Sequence, residues 1–119
     1  MPETRSTPVL AIVNARVWTN DPRRPWADAL LVRGEHLLAV GSSAELRKRA
    51  GAGATVIDAS GRLVVPGEAG GRLVAGAAAS LAIIERPLAA GATGTPLERE
   101  VVLSLVDGRV VVDRRGESR

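Results

Sequence analysis

The chain has 119 residues, a formal net charge of +3, one histidine and no cysteine. One domain with its own core is therefore expected, while disulfides, thiolate nucleophiles and zinc sites made of sulfur or of several imidazoles are excluded. The large aliphatic residues are 15 Val, 13 Leu and 4 Ile, against 2% aromatic residues, so the core must consist of branched aliphatic side chains and Ala, and the excess of Val favours strands.

The charge pattern argues against a nucleic-acid or membrane partner. The sequence pI is about 10.9, but the Arg pairs are separated and interspersed with acidic residues, which is typical of a solvated surface. The segment MPETRSTP has no apolar core, so no secretory signal is expected, and no apolar run approaches the length of a bilayer-spanning helix. We therefore expect a cytoplasmic protein.

The first predicted element is one strand over residues 8–19, PVLAIVNARVWT. Alternate residues from Val9 to Val17 form a wholly apolar face, and the other face is mixed. This pattern predicts a strand with one side in the core. The NDPRRPW segment that follows is predicted to be a loop because it contains two prolines.

Two hairpins and one helix are predicted next. The first hairpin joins residues 29–33 to 37–40 through a turn of Gly34, Glu35 and His36. A short helix near residues 43–50 is indicated by the capping-box spacing of Ser42 and Glu45, and a glycine ends it. The second hairpin is predicted to join residues 55–58 to 62–65.

The last third of the chain predicts a strand over residues 81–85, a loop over 88–96 and a hairpin over 99–114. Asp107-Gly108 is the preferred pair for a two-residue type I′ turn. Together these elements give about seven or eight strands joined mainly by hairpins. They predict an all-β fold, a small antiparallel β-sandwich or pseudo-barrel forming a single domain over residues 1–119.

The search for reactive residues predicts no catalytic, cofactor-binding or metal-binding site. His36 has no second imidazole, and its position in a turn explains it. Ser42 and Ser43 have a capping role and no base beside them. Glu98 and Glu100 flank the start of a strand and are expected at the surface. We therefore expect no cofactor.

Seven segments follow one another in a specific order from about residue 9 to residue 114. They are IVNARVW at 12–18, PWADAL at 25–30, LAVGS at 38–42, VIDASGRLVVPG at 56–67, GRLVAG at 71–76, ASL at 79–81 and LVDGRVV at 105–111. In this order they resemble the composite β-sandwich domain of the metal-dependent amidohydrolase superfamily.

The resemblance implies a missing part. In that family the Val-Pro-Gly turn leads into a (β/α)8 barrel, which carries a His-x-His metal pair, further His, an Asp and sometimes a modified Lys. Here only residues 68–70 separate Gly67 from Gly71, so the resemblance implies a sandwich of two parts, 9–67 and 71–114, without the barrel and its metal ligands. Ser80 stands where the family usually has Asp, which suggests that a contact to the barrel, or a local cap, is no longer needed.

These observations favour a non-catalytic stand-alone sandwich domain, made by barrel deletion or found in a shortened relative. A hydrolase description, for non-peptide C–N bonds, would then be inherited from full-length members. One alternative is a small-ligand binding module with Trp18 and Trp26 as contact surfaces, although two tryptophans capping the edge of the core explain them as well. Another is an accessory domain of a hydrolase whose barrel is on another chain.

Loss of the barrel also has a consequence for association. The flank that would pack on the barrel is apolar, and contiguous exposed apolar patches usually mark an interface. We therefore expect a homo-oligomer formed through that flank.

Overall fold

The computed structural model describes residues 9–67, 71–85 and 101–114. These residues form ten strands and one helix, in the order β1 (Val9–Val13), β2 (Arg16–Trp18), β3 (Trp26–Ala27), β4 (Ala29–Arg33), β5 (His36–Gly41), α1 (Ser43–Ala50), β6 (Thr55–Asp58), β7 (Leu63–Pro66), β8 (Leu81–Ile84), β9 (Val101–Val106) and β10 (Arg109–Asp113). A four-stranded sheet has the order β5-β4-β1-β6, and a six-stranded sheet has the order β10-β9-β8-β7-β2-β3. The predicted all-β fold is confirmed.

The single strand predicted over residues 8–19 is wrong, because the chain turns at Asn14. This residue has a φ of 56°, a left-handed conformation that asparagine tolerates better than most residues. Its side-chain amide donates to Asp58 Oδ2 over 3.1 Å, and its backbone N–H donates to Ser43 Oγ over 2.9 Å. As a result β1 lies in the four-stranded sheet and β2 lies in the six-stranded sheet.

The predicted hairpin between residues 55–58 and 62–65 is also wrong. The turn between them has positive φ at Ser60 (54°) and Gly61 (80°), and it carries the chain from one sheet to the other. Strand β6 pairs with β1 in parallel, and β7 pairs with β2 in parallel. The chain therefore passes from the four-stranded to the six-stranded sheet twice, between β1 and β2 and between β6 and β7, at neighbouring corners. Because of these parallel pairs, both sheets are mixed instead of purely antiparallel.

The main core lies between the two sheets. Its largest fully buried side chains from the four-stranded sheet include Ile12, Leu30 and Leu37, and those from the six-stranded sheet include Leu81, Ile83, Leu103 and Leu105. Strand β1 is buried on both faces, because Ile12 belongs to this core whereas Ala11 and Val13 belong to a second cluster. The expectation that only one side of this segment is buried is therefore wrong for β1.

The predicted helix is confirmed and covers the outer face of the four-stranded sheet. Ser42 is the N-cap, and its hydroxyl accepts the Glu45 N–H over 3.2 Å. Gly51 follows the last helical residue with a φ of 81°. Leu46, which is buried, packs in the second cluster with Ala11, Val13, Ala29, Leu31 and Ala39 of the sheet.

Two predicted hairpins are confirmed, and their turns meet. The β4–β5 and β9–β10 pairs are antiparallel, and positive φ at both Asp107 (50°) and Gly108 (82°) fits the expected type I′ turn. Gly108 lies so close to the β4–β5 turn that a Cβ there would be 1.8 Å from Gly34 O. The Gly108 N–H donates to Ala79 O over 2.9 Å.

The outer face of the six-stranded sheet carries a third apolar cluster, made of Leu63, Val65, Ala82 and Ile84. Helix α1 contacts β1, β4 and β5, and the described residues include no helix over this second outer face. No described helix is long and apolar enough to cross a membrane.

Several sequence predictions fall outside the described residues. These are the junction 68–70, the loop over 88–96, and Glu98 with Glu100. The division into two parts around that junction stays a prediction. Residues 71–76 contain no strand, but Leu73 is buried and its N–H donates to Thr19 O over 2.9 Å.

Candidate functional site

His36 is an exposed residue with a backbone role. It is the first residue of β5, directly after a two-residue turn of Gly34 and Glu35. It pairs with Arg33 in the hairpin and forms an isolated bridge with Ala78. The Glu35 carbonyl accepts the Ala79 N–H over 2.8 Å. The position therefore fastens residues 77–79 to the hairpin.

The two serines near the helix start are both used in local hydrogen bonds. Ser42 caps α1 as described above, and Ser43 Oγ accepts the Asn14 N–H over 2.9 Å and donates to Asp28 O over 3.3 Å. Ser43 thus stabilises the corner at which the chain leaves the four-stranded sheet. Neither hydroxyl is placed as a nucleophile with a general base among the described residues.

Ser80 has a clear local role. Its side chain is almost fully buried, with 8% exposure, and its hydroxyl accepts the Asp107 N–H over 3.1 Å. This bond joins the start of β8 to the β9–β10 turn. The suggestion that a local cap is no longer needed at this position is therefore wrong.

A small cleft opens where β2, the 59–62 turn and the end of β8 come together. Its volume is about 220 Å³, and it is lined by Arg16, Ser60, Gly61, Arg62, Leu63 and Glu85. The parallel pairing of β2 with β7 places Arg16 opposite Leu63, and the Arg16 N–H donates to Arg62 O over 3.0 Å. The two guanidinium-bearing residues are thus brought together by the corner itself.

The cleft is lined by two guanidinium groups and one carboxylate. Arg62 Nε lies 3.0 Å from Glu85 Oε1, an ion pair whose carboxylate side chain is 57% exposed. Arg16 makes no ion pair within the described part of the chain, and its Cζ atom lies 4.9 Å from the centre of the Trp26 ring. The aromatic face favours the cation and restricts its orientation. Among the described residues, the guanidinium of Arg16 is therefore not neutralised by a carboxylate.

The two tryptophans pair across the edge of the six-stranded sheet. Trp18 in β2 lies opposite Trp26 in β3, and they are 38% and 49% exposed. Neither ring belongs to one of the three buried clusters. Trp26 lies beside the cleft through its contact with Arg16.

Asp58 orders the turn that forms one wall of the cleft. Its carboxylate accepts the Ser60 N–H over 2.8 Å and the Asn14 amide over 3.1 Å. These two bonds, with a smaller contribution from the positive charge of Arg47, lower the pKa of Asp58 below its usual value of 3.8. The ionised form thus holds both corner turns together.

The metal-binding residue types of this chain do not fit a metal centre of the kind that the barrel of the resembled family carries. The chain has one histidine and no cysteine, and its described residues contain no group of three or more His, Cys, Asp or Glu that could hold a metal ion. The cleft was not predicted from the sequence. Its signal is an arginine at the start of each of two strands, Arg16 as the first residue of β2 and Arg62 directly before β7, which becomes meaningful only when the parallel pairing of β2 and β7 is known.

Two curated relatives match the same share of the chain. An N-substituted formamide deformylase of Arthrobacter pascens is 47% identical over 58 residues, which are 49% of this chain and 11% of the deformylase. The protein LONG AFTER FAR-RED 3 of Arabidopsis thaliana is 36% identical over 58 residues, 49% of this chain and 10% of that protein. The chain thus spans about a tenth of the length of these relatives. No protein-family model matches it.

Two solved structures share partial similarity with this chain. An uncharacterized metal-dependent hydrolase from Pyrococcus furiosus is 28% identical, with a TM-score of 0.44, over 50% of this chain and 13% of the other. Enamidase, described as a member of the amidohydrolase superfamily, is 37% identical, with a TM-score of 0.42, over 50% of this chain and 16% of the other.

Proposed function

We propose that this chain is a non-catalytic β-sandwich domain of an amidohydrolase-like protein. The 47% identity to a deformylase over 58 residues supports the relationship. The metal-binding residue types support the absence of catalysis. His36, the single histidine, lies exposed at a hairpin and forms no cluster of metal-binding residues within the described part of the chain. Hydrolysis of an N-substituted formamide belongs, in this proposal, to the longer relative alone.

The domain folds from its own residues in this proposal. The two corner turns and the covering helix close the four-stranded sheet, and the main core joins both sheets. The buried residues of the main core pack against one another within the described part of the chain. A hydrolase whose barrel is on another chain remains the alternative, and it would use this domain as an accessory.

The test is metal binding and hydrolysis by the purified chain. Zn²⁺ is titrated by calorimetry, and release of formate from an N-substituted formamide is measured with and without added Zn²⁺. We expect no stoichiometric binding and no formate release above a no-protein blank, while circular dichroism shows a cooperatively unfolding β protein. Formate release that a chelator abolishes and that His36→Ala lowers would contradict the proposal.

A second candidate, binding of a small oxyanion, is favoured by the cleft. A guanidinium presents paired donors that match a carboxylate, and Arg16 is held over Trp26 without an ion pair among the described residues. A volume of about 220 Å³ suits a small carboxylate. Strand β2 and the 59–62 turn would position the ligand between Arg16 and Ser60.

The fluorescence of Trp26 reports on this binding. In a Trp18→Phe background, Trp26 is the remaining tryptophan, and its emission is followed while acetate or succinate is added at constant ionic strength. A saturable change that disappears in Arg16→Ala supports the site. A linear response, or a saturable one that persists in Arg16→Ala, would rule out this cleft as the binding site.

A further inference from the structure

Strand β10 is an edge strand with an unusually apolar exposed surface. It is the first strand in the order of the six-stranded sheet, and no described strand pairs with its outer edge. Val110 and Val111 are 50% and 55% exposed, and Val106 on the neighbouring strand is 49% exposed. Edge strands are usually protected by charged side chains, a proline, a β-bulge or covering elements, because their free backbone groups pair readily with another chain.

The sequence of β10 is complementary to itself. It reads Arg-Val-Val-Val-Asp from Arg109 to Asp113. If two copies pair antiparallel about a two-fold axis at Val111, Arg109 of each copy lies opposite Asp113 of the other. Val110 then lies opposite Val112, and Val111 faces its own counterpart. Opposite charges directly across such a pair are stabilising, and β-branched residues pack well in its centre.

We propose that this chain forms a two-fold symmetric dimer in which β10 pairs with β10 of a second copy. The occupant is a second copy because the charge order of β10 is complementary to its own reverse, as a two-fold interface requires. The dimer extends the six-stranded sheet across the axis. It does not require Asp113 to lack contacts in its own chain, since a carboxylate accepts hydrogen bonds at about four positions.

The pairing of β10 with β9 is irregular at its centre. The register with β9 shifts between Val110 and Val112, so Val111 has no Cα partner in β9. The extra residue of such a bulge is not paired in the ladder. Val111 therefore lies at the proposed axis without a partner residue in β9. This inference is independent of the proposed function, but it assigns the expected self-association to an edge instead of the flank facing a barrel.

Single cysteines test the contact directly, because the chain has none of its own. Directly opposed residues of antiparallel strands have Cα atoms about 4.5–5.5 Å apart, within the range of about 4.4–6.8 Å that a disulfide spans. Under mild oxidation, Val111→Cys is expected to give a reducible covalent dimer. Val56→Cys, at a 47% exposed valine on β6 at the edge of the other sheet, is the control and is expected to stay monomeric on a denaturing gel.

Charge reversal tests the register. Sedimentation velocity across micromolar to millimolar concentrations is expected to show a monomer–dimer equilibrium. Arg109→Asp or Asp113→Arg alone is expected to weaken the dimer at least about tenfold, because like charges then face each other at both symmetric positions. The double variant Arg109→Asp/Asp113→Arg is expected to restore it.

Three results would overturn the proposal. They are a wild-type chain that stays monomeric at millimolar concentration, equal crosslinking of Val111→Cys and Val56→Cys, and a dimer that both single charge variants leave unchanged. If a charge variant fails to fold by circular dichroism, the cysteine pair alone decides the outcome, because it leaves both charges in place.

Discussion

The two sheets of this domain differ in how they are covered. The four-stranded sheet has the main core on its inner face and helix α1 on its outer face, with Leu46 packed against five buried sheet residues. The six-stranded sheet shares that core, but its exposed large apolar side chains lie at both of its edges, as Trp18 and Trp26 at one and Val106, Val110 and Val111 at the other. Among the described residues, the four-stranded sheet exposes one large apolar side chain, Val56 on its edge strand β6, so most of the exposed apolar surface lies at the edges of the six-stranded sheet.

The largest expected effect is a difference in the free energy of unfolding between substitutions on the outer faces of the two sheets. Leu31→Ala removes a fully buried side chain beneath α1 and is expected to lower the free energy of unfolding by about 2–5 kcal/mol, because the rigid cover leaves a cavity. The same change at Leu63, which is buried at 8% exposure in the outer cluster of the six-stranded sheet, is expected to cost about 2 kcal/mol, the low end of that range, because the described residues place no helix over it and the site can relax. Urea unfolding of both variants measures the difference. Equal losses would contradict the contrast between the sheets.

The next largest expected effect is a loss of stability at the contact between the β4–β5 and β9–β10 hairpins. Gly108→Ala places a Cβ 1.8 Å from Gly34 O in a left-handed conformation, and we expect a loss of about 3 kcal/mol from strain and overpacking together. Gly61 has nearly the same φ but no atom within 4 Å of an added Cβ, so Gly61→Ala is expected to cost only about 1–2 kcal/mol. Thermal unfolding compares them. A Gly61 variant that loses as much as the Gly108 variant would mean that the two turns do not touch.

The smallest effect is the pH dependence of the corner. Because the pKa of Asp58 is lowered in the folded state, its ionised form stabilises the fold above its unfolded pKa of about 3.9, and this contribution disappears as pH falls through the folded value. We expect wild type to exceed Asp58→Asn in stability at pH 7 and the gap to close toward pH 2. Urea unfolding at several pH values measures the gap. A constant gap would show that Asp58 acts through its shape instead of its charge.

The sequence predicts the parts of this fold that local signals specify. The Ser42 cap, the helix stop at Gly51 and the Asp107-Gly108 turn each depend on a few adjacent residues, and the structure has all three. The corners at Asn14 and at Ser60-Gly61 were missed, because an unbroken apolar alternation and a glycine turn predict one strand and a hairpin. Only the parallel pairing of distant segments shows that the chain changes sheets there.

The same limit applies to the candidate site. Arg16 and Arg62 are far apart in sequence, and each alone resembles an ordinary surface residue. They meet because β2 and β7 run in parallel after their corners, with Trp26 brought beside Arg16 by the β2–β3 pairing. Residues 59–67 are an example: their pattern predicts a turn and a strand, but it does not indicate which strand pairs with this one.

Hydrogen exchange at the two sheet edges most directly tests the claim that further contacts belong to the six-stranded sheet. Amide protection of β10 and of β6, an edge of the four-stranded sheet, is compared at protein concentrations below and above the dimerisation range. We predict that protection of residues 109–113 rises with concentration while that of residues 55–58 stays constant. Protection that rises at β6, or at neither edge, would contradict this difference between the two sheets.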